Sequence, residues 1–124
     1  MSDKIRVLIA DDHPEVLMAV ADVIQECGGV DIVSLTTTVE EAVRSAAGQK
    51  PDVAFVDAWL RGGGAEAAAH RIKQVSPATL VVALASASEI ELVLRLRAVG
   101  ADGCYDKEKL SAVLPGILAS VSRH

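Results

Sequence analysis

A chain of 124 residues can bury one hydrophobic core and is too short for two ordinary domains, so residues 1–124 are read as a single unit. Hydrophobic residues make up 51% of it and aromatic ones only 2%, which excludes a disordered chain and asks for a core of Val, Ala, Leu and Ile. The formal net charge of -5 excludes a surface made to hold a phosphate backbone, so protein partners are expected and no direct nucleic-acid contact.

Short β-branched runs alternate five times with longer segments of helical spacing, the pattern of βα units around a parallel sheet. Residues 5–10 read as the first strand. Pro14 opens a helix in its first turn, Val16, Leu17, Val20, Val23 and Ile24 share one face of it, and Cys27-Gly28-Gly29 ends it. Residues 30–35 form the second strand, and the threonines at 36–38 cap a helix that turns Val39, Ala42, Val43 and Ala46 inward and is closed by Gly48. After Pro51 the segment 52–57 is apolar from Val53 until it stops at Asp57, as a fully buried central strand would be. The glycine-rich loop 61–64 leads to an Ala-rich helix through Val75, and a fourth strand follows at 79–85. A fourth helix is predicted from about residue 88 to Val99, with Gly100 at its C′ position, and then a short fifth strand at 104–106. Leu110, Val113, Leu114, Ile117, Leu118 and Val121 trace a last helical stripe. Pro115 in the interior of that helix would cost about 3 kcal/mol but is tolerated in a first turn, which makes Ser111 the expected N-cap.

Cys27 and Cys104 sit among apolar residues with no metal-ligand spacing, and read as reduced thiols of a cytoplasmic protein. The longest apolar run, Leu80–Ala85, is far short of the ~18 residues a membrane span needs, and the N-terminus opens directly into a strand, so neither export nor membrane insertion is expected.

In an open α/β sheet the functional crevice lies outside the carboxyl ends of the strands. Asp11 and Asp12 follow the first strand, Asp57 ends the third and Lys107 follows the fifth, so three carboxylates and an ammonium should converge at one edge. Clustered anions of this kind ask for a hard cation such as Mg2+, which takes carboxylate oxygens and keeps positions for water or a phosphate. Taken singly, Asp11 and Asp12 could merely cap the first helix and Lys107 could be a solvated charge; together they read as a site. No G-x-S-x-G elbow exists, His13, His70 and His124 have no nucleophile beside them, and no G-K-[ST] follows the glycines at 62–64, which argues against a hydrolase and a phosphate loop.

The segments Val7-Leu8-Ile9-Ala10-Asp11-Asp12-His13-Pro14, Pro51-Asp52-Val53-Ala54-Phe55-Val56-Asp57 and Gly100-Ala101-Asp102-Gly103 with Lys107 resemble the receiver domains of two-component response regulators over essentially the whole chain. The Asp-Asp-His-Pro opening is similar to receivers that precede a helix-turn-helix output domain, here expected to lie elsewhere in a longer protein. The resemblance implies a flavodoxin-like (βα)5 three-layer sandwich with a parallel sheet in the order 2-1-3-4-5. It implies Asp57 as phosphoacceptor, Asp12 and Asp57 as Mg2+ ligands with the backbone carbonyl of Trp59, Asp11 as a ligand through water, and Lys107 as the contact to the phosphoryl oxygens. The implied donor is a histidine kinase or phosphotransfer protein, and the domain would catalyse at most its own phosphorylation and dephosphorylation.

The sequence departs from the family pattern at both switch positions. Ala85 stands where receivers place Ser or Thr at the end of the fourth strand, and Ser86 could replace it only by a one-residue slip, which turns a strand side chain to the other face. The aromatic switch position, three before the lysine, is Cys104, with Tyr105 beside it facing the opposite way. These changes support an alternative, a pseudo-receiver that binds a partner independently of phosphate. A Mg2+-dependent phosphatase would need a second acid two residues after Asp57, where Trp59 stands. Trp59 could instead shield a phosphoryl group, or serve only as a loop anchor. Helix four carries more apolar residues than one face needs. Leu92, Leu94 and Leu96, rimmed by Arg95 and Arg97, are expected either at a homodimer or partner surface on the helix 4, strand 5 and helix 5 face, or in wider core burial.

Overall fold

Strands that read as uninterrupted apolar runs are buried on both faces in the computed structural model, which describes residues 4–85 and 90–121. The order is β1 (Ile5–Ala10), α1 (Pro14–Cys27), β2 (Val30–Thr36), α2 (Val39–Gln49), β3 (Val53–Asp57), α3 (Gly64–Val75), β4 (Leu80–Ala85), α4 (Ile90–Ala98), β5 (Gly103–Asp106) and α5 (Leu110–Val121). All strand pairs are parallel, in the order β2-β1-β3-β4-β5. The alternation of strand and helix patterns implied the parallel βα units, and the resemblance implied the flavodoxin-like strand order found here.

The two-residue period of the strands divides the core into two layers. Leu8, Ala54, Val56, Val81 and Ala83 face α2, α3 and α4. Val7, Ile9, Val53, Phe55, Val82 and Leu84 face α1 and α5. Small residues let α3 lie close to the sheet, since Ala65, Ala68, Ala69 and Ile72 are all 0% exposed. The Arg71 guanidinium then reaches Glu40 on α2 at 2.6 Å and, by hydrogen bond and charge, holds that carboxyl below its usual pKa.

Several sequence expectations are corrected by packing. Gly48 does not close α2, which runs on through Gln49 to Lys50, held in the left-handed region at φ 47. Lys50 is tied there because its ammonium donates to the Val75 carbonyl and its own carbonyl accepts from Arg6. Ser111 is not the N-cap of α5. Asp106 accepts from the Glu108 amide and starts a 3-10 turn, Lys107–Lys109, which runs directly into a helix that begins at Leu110 and holds Pro115 in its interior. Burial of Leu110, Leu114, Ile117, Leu118 and Val121 offsets the ~3 kcal/mol that an interior proline costs. Cys27 is exposed rather than set among apolar neighbours, while Cys104 is partly buried, and burial pushes its thiol pKa up. The predicted beginning of α4 falls outside the described residues.

The leucines of α4 also separate. Leu92 and Leu96 are 3% and 1% exposed and belong to the core against the sheet, so they are not surface residues. Only Leu94, 59% exposed, is left facing outward. Arg95, expected at a polar rim, is half exposed, with its Nε 3.1 Å from Glu66 on α3.

The β3–α3 turn depends on a glycine. Gly64 has φ +74, and a Cβ built on it would lie 2.6 Å from the Ala58 carbonyl oxygen, which already accepts from the Ala65 amide. Gly64→Ala should therefore lower unfolding stability by about 2 kcal/mol, from the left-handed backbone together with the clash. Gly48→Ala meets nothing within 4 Å inside α2 and should be neutral or stabilising by about 0.5 kcal/mol. Urea unfolding of the two variants checks both signs; equal effects would mean that the turn relaxes around a methyl group.

Candidate functional site

Register brings the polar residues together. Ala10 pairs with Val56, so the residues that follow each of them, Asp11 and Asp57, emerge side by side at the carboxyl edge. Ala85 at the end of β4 pairs with Asp106 on β5, two strands from β3, which delivers Lys107 to the same edge. The turn after β1 adds Asp12 and His13, and the ligand atoms of Asp11, Asp12, His13 and Asp57 all lie within 4.8 Å of one another.

Asp11 and Asp57 are 2% and 5% exposed. Lys107 Nζ bridges them, 2.9 Å from Asp11 Oδ2 and 2.7 Å from Asp57 Oδ1. Burial works to lower the Lys107 pKa, but hydrogen bonds and charge from Asp57 and Asp11 outweigh it and raise it above the usual 10.5. The His13 amide donates to Asp11 Oδ1 at 2.9 Å, and its ring Nδ1 lies 3.3 Å from Asp11 Oδ1 and 3.1 Å from Asp12 Oδ1. Despite that proximity Asp12 Oδ1, a buried atom, accepts no hydrogen bond. A buried carboxylate oxygen without a donor is costly unless a cation meets it.

One ammonium cannot balance three carboxylates, and the donors are hard oxygens with one of them orphaned, so the residues present fit a divalent cation of the Mg2+ kind. Asp11, Asp12 and Asp57 would hold it. Sequence reasoning placed these three and Lys107 correctly at one edge, but missed His13 as a member of the cluster; its position directly after two aspartates was the available signal.

Comparison with known proteins decides what kind of edge this is. The family model described as response regulator receiver domain matches residues 7–115. The chain belongs to the receiver domain family of two-component response regulators. It is 31% identical over 103 residues to response regulator GacA of Pseudomonas viridiflava, covering 83% of this chain and 48% of that protein. To the transcriptional regulatory protein PdtaR of Mycobacterium tuberculosis it is 35% identical over 121 residues, covering 95% and 57%. The chain thus spans about half the length of the curated relatives it matches. A two-component response regulator of the LuxR family from Aurantimonas sp. SI85-9A1 has the same fold, with TM-score 0.88 and 24% identity over 97% of this chain and 86% of that one. So does the non-phosphorylated receiver domain of RcsB from Escherichia coli, with TM-score 0.84 and 20% identity over 97% and 94%.

Of the residues that the sequence resemblance marks as switch positions, Ala85 is 3% exposed and packs in the α2–α3–α4 layer with Cys104 against it. Tyr105 packs in the α1–α5 layer, on the opposite face, as alternation along a strand requires. Ser86 lies outside the described residues. Trp59 is 57% exposed and belongs to neither core layer. Among the described residues no helix is long and apolar enough to cross a membrane.

Proposed function

We propose that this receiver domain accepts a phosphoryl group on Asp57 from a histidine kinase or phosphotransfer protein, in the cytoplasm, and passes the signal on through a protein interface. The observation that carries the reading is the nearly buried Asp57 carboxylate held 2.7 Å from Lys107 at the strand edge, with Asp11 and Asp12 beside it. A carboxylate oxygen of Asp57 attacks phosphorus, the bond from phosphorus to the donor's imidazole nitrogen breaks, and an acyl phosphate forms. Lys107 is placed to hold a phosphoryl oxygen where negative charge is spread in the transition state. A bound Mg2+, held by Asp12 and Asp57 with the Trp59 carbonyl and by Asp11 through water, would neutralise the remaining charge on the transferring group. Trp59 still has surface to bury over the product, as a shield against water would need.

Incubation with acetyl phosphate and Mg2+ should give a single phosphoryl adduct by intact mass, lost with chelator and lost in Asp57→Ala. A folded protein that takes no adduct from this donor or from a kinase would replace this reading with the pseudo-receiver. Ala85 and Cys104 favour that second reading, because a methyl group and a half-buried thiol replace the hydroxyl and the aromatic ring that couple phosphate to the surface in the family. A homodimer through the α4–β5–α5 face would have Leu94, not Leu92 or Leu96, at its apolar centre.

A further inference from the structure

The reading above uses oxygen donors only, yet a nitrogen stands among them. His13 is placed by its neighbours. Pro14 follows it, which keeps residue 13 out of the helical region, and His13 accordingly sits at φ -103 and ψ 107 as the N-cap of α1. Its backbone amide is anchored to Asp11 Oδ1 at 2.9 Å. The ring is 70% exposed but is turned back over the acid pair rather than capping the helix, since it makes no side-chain cap hydrogen bond.

The spacing is that of neighbouring ligands on one ion. Adjacent donors around a six-coordinate cation with bonds of about 2.1 Å are about 3.0 Å apart. His13 Nδ1 lies 3.1 Å from Asp12 Oδ1, the buried oxygen that accepts no hydrogen bond. The ring nitrogen is hydrogen-bonded to Asp11 Oδ1 at 3.3 Å, whereas Asp12 Oδ1, which lies nearer, accepts no hydrogen bond from it and is left for a cation.

The geometry points to His13 as a selectivity residue of the cation site, whose imidazole nitrogen favours first-row transition-metal divalent cations relative to Mg2+. Imidazole is a good ligand for such ions and a poor one for Mg2+, whereas carboxylates serve both. The inference rests on the cation site of the proposed function and adds to it which ions the site prefers.

Calorimetric titration of the whole chain with Mg2+ and, separately, Ni2+, repeated on His13→Ala and Asp12→Asn, tests it, with Trp59 fluorescence as a second readout. His13→Ala should leave Mg2+ affinity within about twofold and weaken Ni2+ at this site by about tenfold or more. Mn2+-loaded wild-type protein should show a nitrogen hyperfine coupling that is absent from His13→Ala. Equal weakening of both ions, or tighter binding of both once the ring is gone, would overturn the inference and make His13 a support or a competing counter-charge. Those outcomes leave the cation site itself intact. No ion bound by wild type, or binding unchanged in Asp12→Asn, would instead remove the site, and this inference with it.

Discussion

Lys107→Met should cost about 3 kcal/mol of unfolding stability in metal-free buffer, because removing one partner of a buried ion pair leaves the other charges uncompensated. Methionine keeps most of the stem volume, so the loss reports the ammonium. The two carboxylates it bridges have side chains only 3% and 5% exposed, with Asp12 close by. Mg2+ should restore part of the loss, since an ion that binds the folded chain alone stabilises it by mass action. Because the folded Lys107 pKa is raised above 10.5, its stabilisation is complete below the unfolded value and is lost as pH rises through the higher folded one. The difference between wild type and variant should therefore be flat from neutral pH to about 9 and shrink in stronger alkali. Phosphoryl uptake from acetyl phosphate should fall about 100-fold or more, the usual cost of removing one donor to a developing oxyanion. Urea unfolding with and without Mg2+, followed by an intact-mass time course, measures both. A variant of unchanged stability and unchanged uptake would mean that Lys107 is only a surface charge.

Leu96→Ala should destabilise the domain by about 3 kcal/mol, while Leu94→Ala stays within about 0.5 kcal/mol. The two residues are on one short helix, two positions apart and so on opposite faces. Leu96 is 1% exposed and packs into the layer formed with α2 and α3, where truncation leaves a cavity; Leu94 is 59% exposed. If α4 serves as a partner face, Leu94→Ala should weaken self-association or partner binding without moving the urea midpoint. Comparable destabilisation by both variants would contradict the burial of Leu96 as an anchor of α4.

What the sequence by itself determined is the set of elements and the edge on which chemistry is gathered. Runs such as 53–57 and the helical stripe of α1 were legible because periodicity reports burial locally. The meeting of Asp11, Asp12, Asp57 and Lys107 followed because all strands of a parallel sheet end on the same side. Only the tertiary structure decided where cover comes from. Leu92 and Leu96, four residues apart, share one face of α4 and Leu94 lies opposite, but only packing against the sheet decided which of the two faces is covered. The start of α5 ahead of Pro115 depends on five buried side chains and an aspartate-capped 3-10 turn offsetting a local penalty. His13 entered the cluster because a helix N-cap held extended by Pro14 lies against the end of β1, a meeting in space of two features that the sequence shows only in succession.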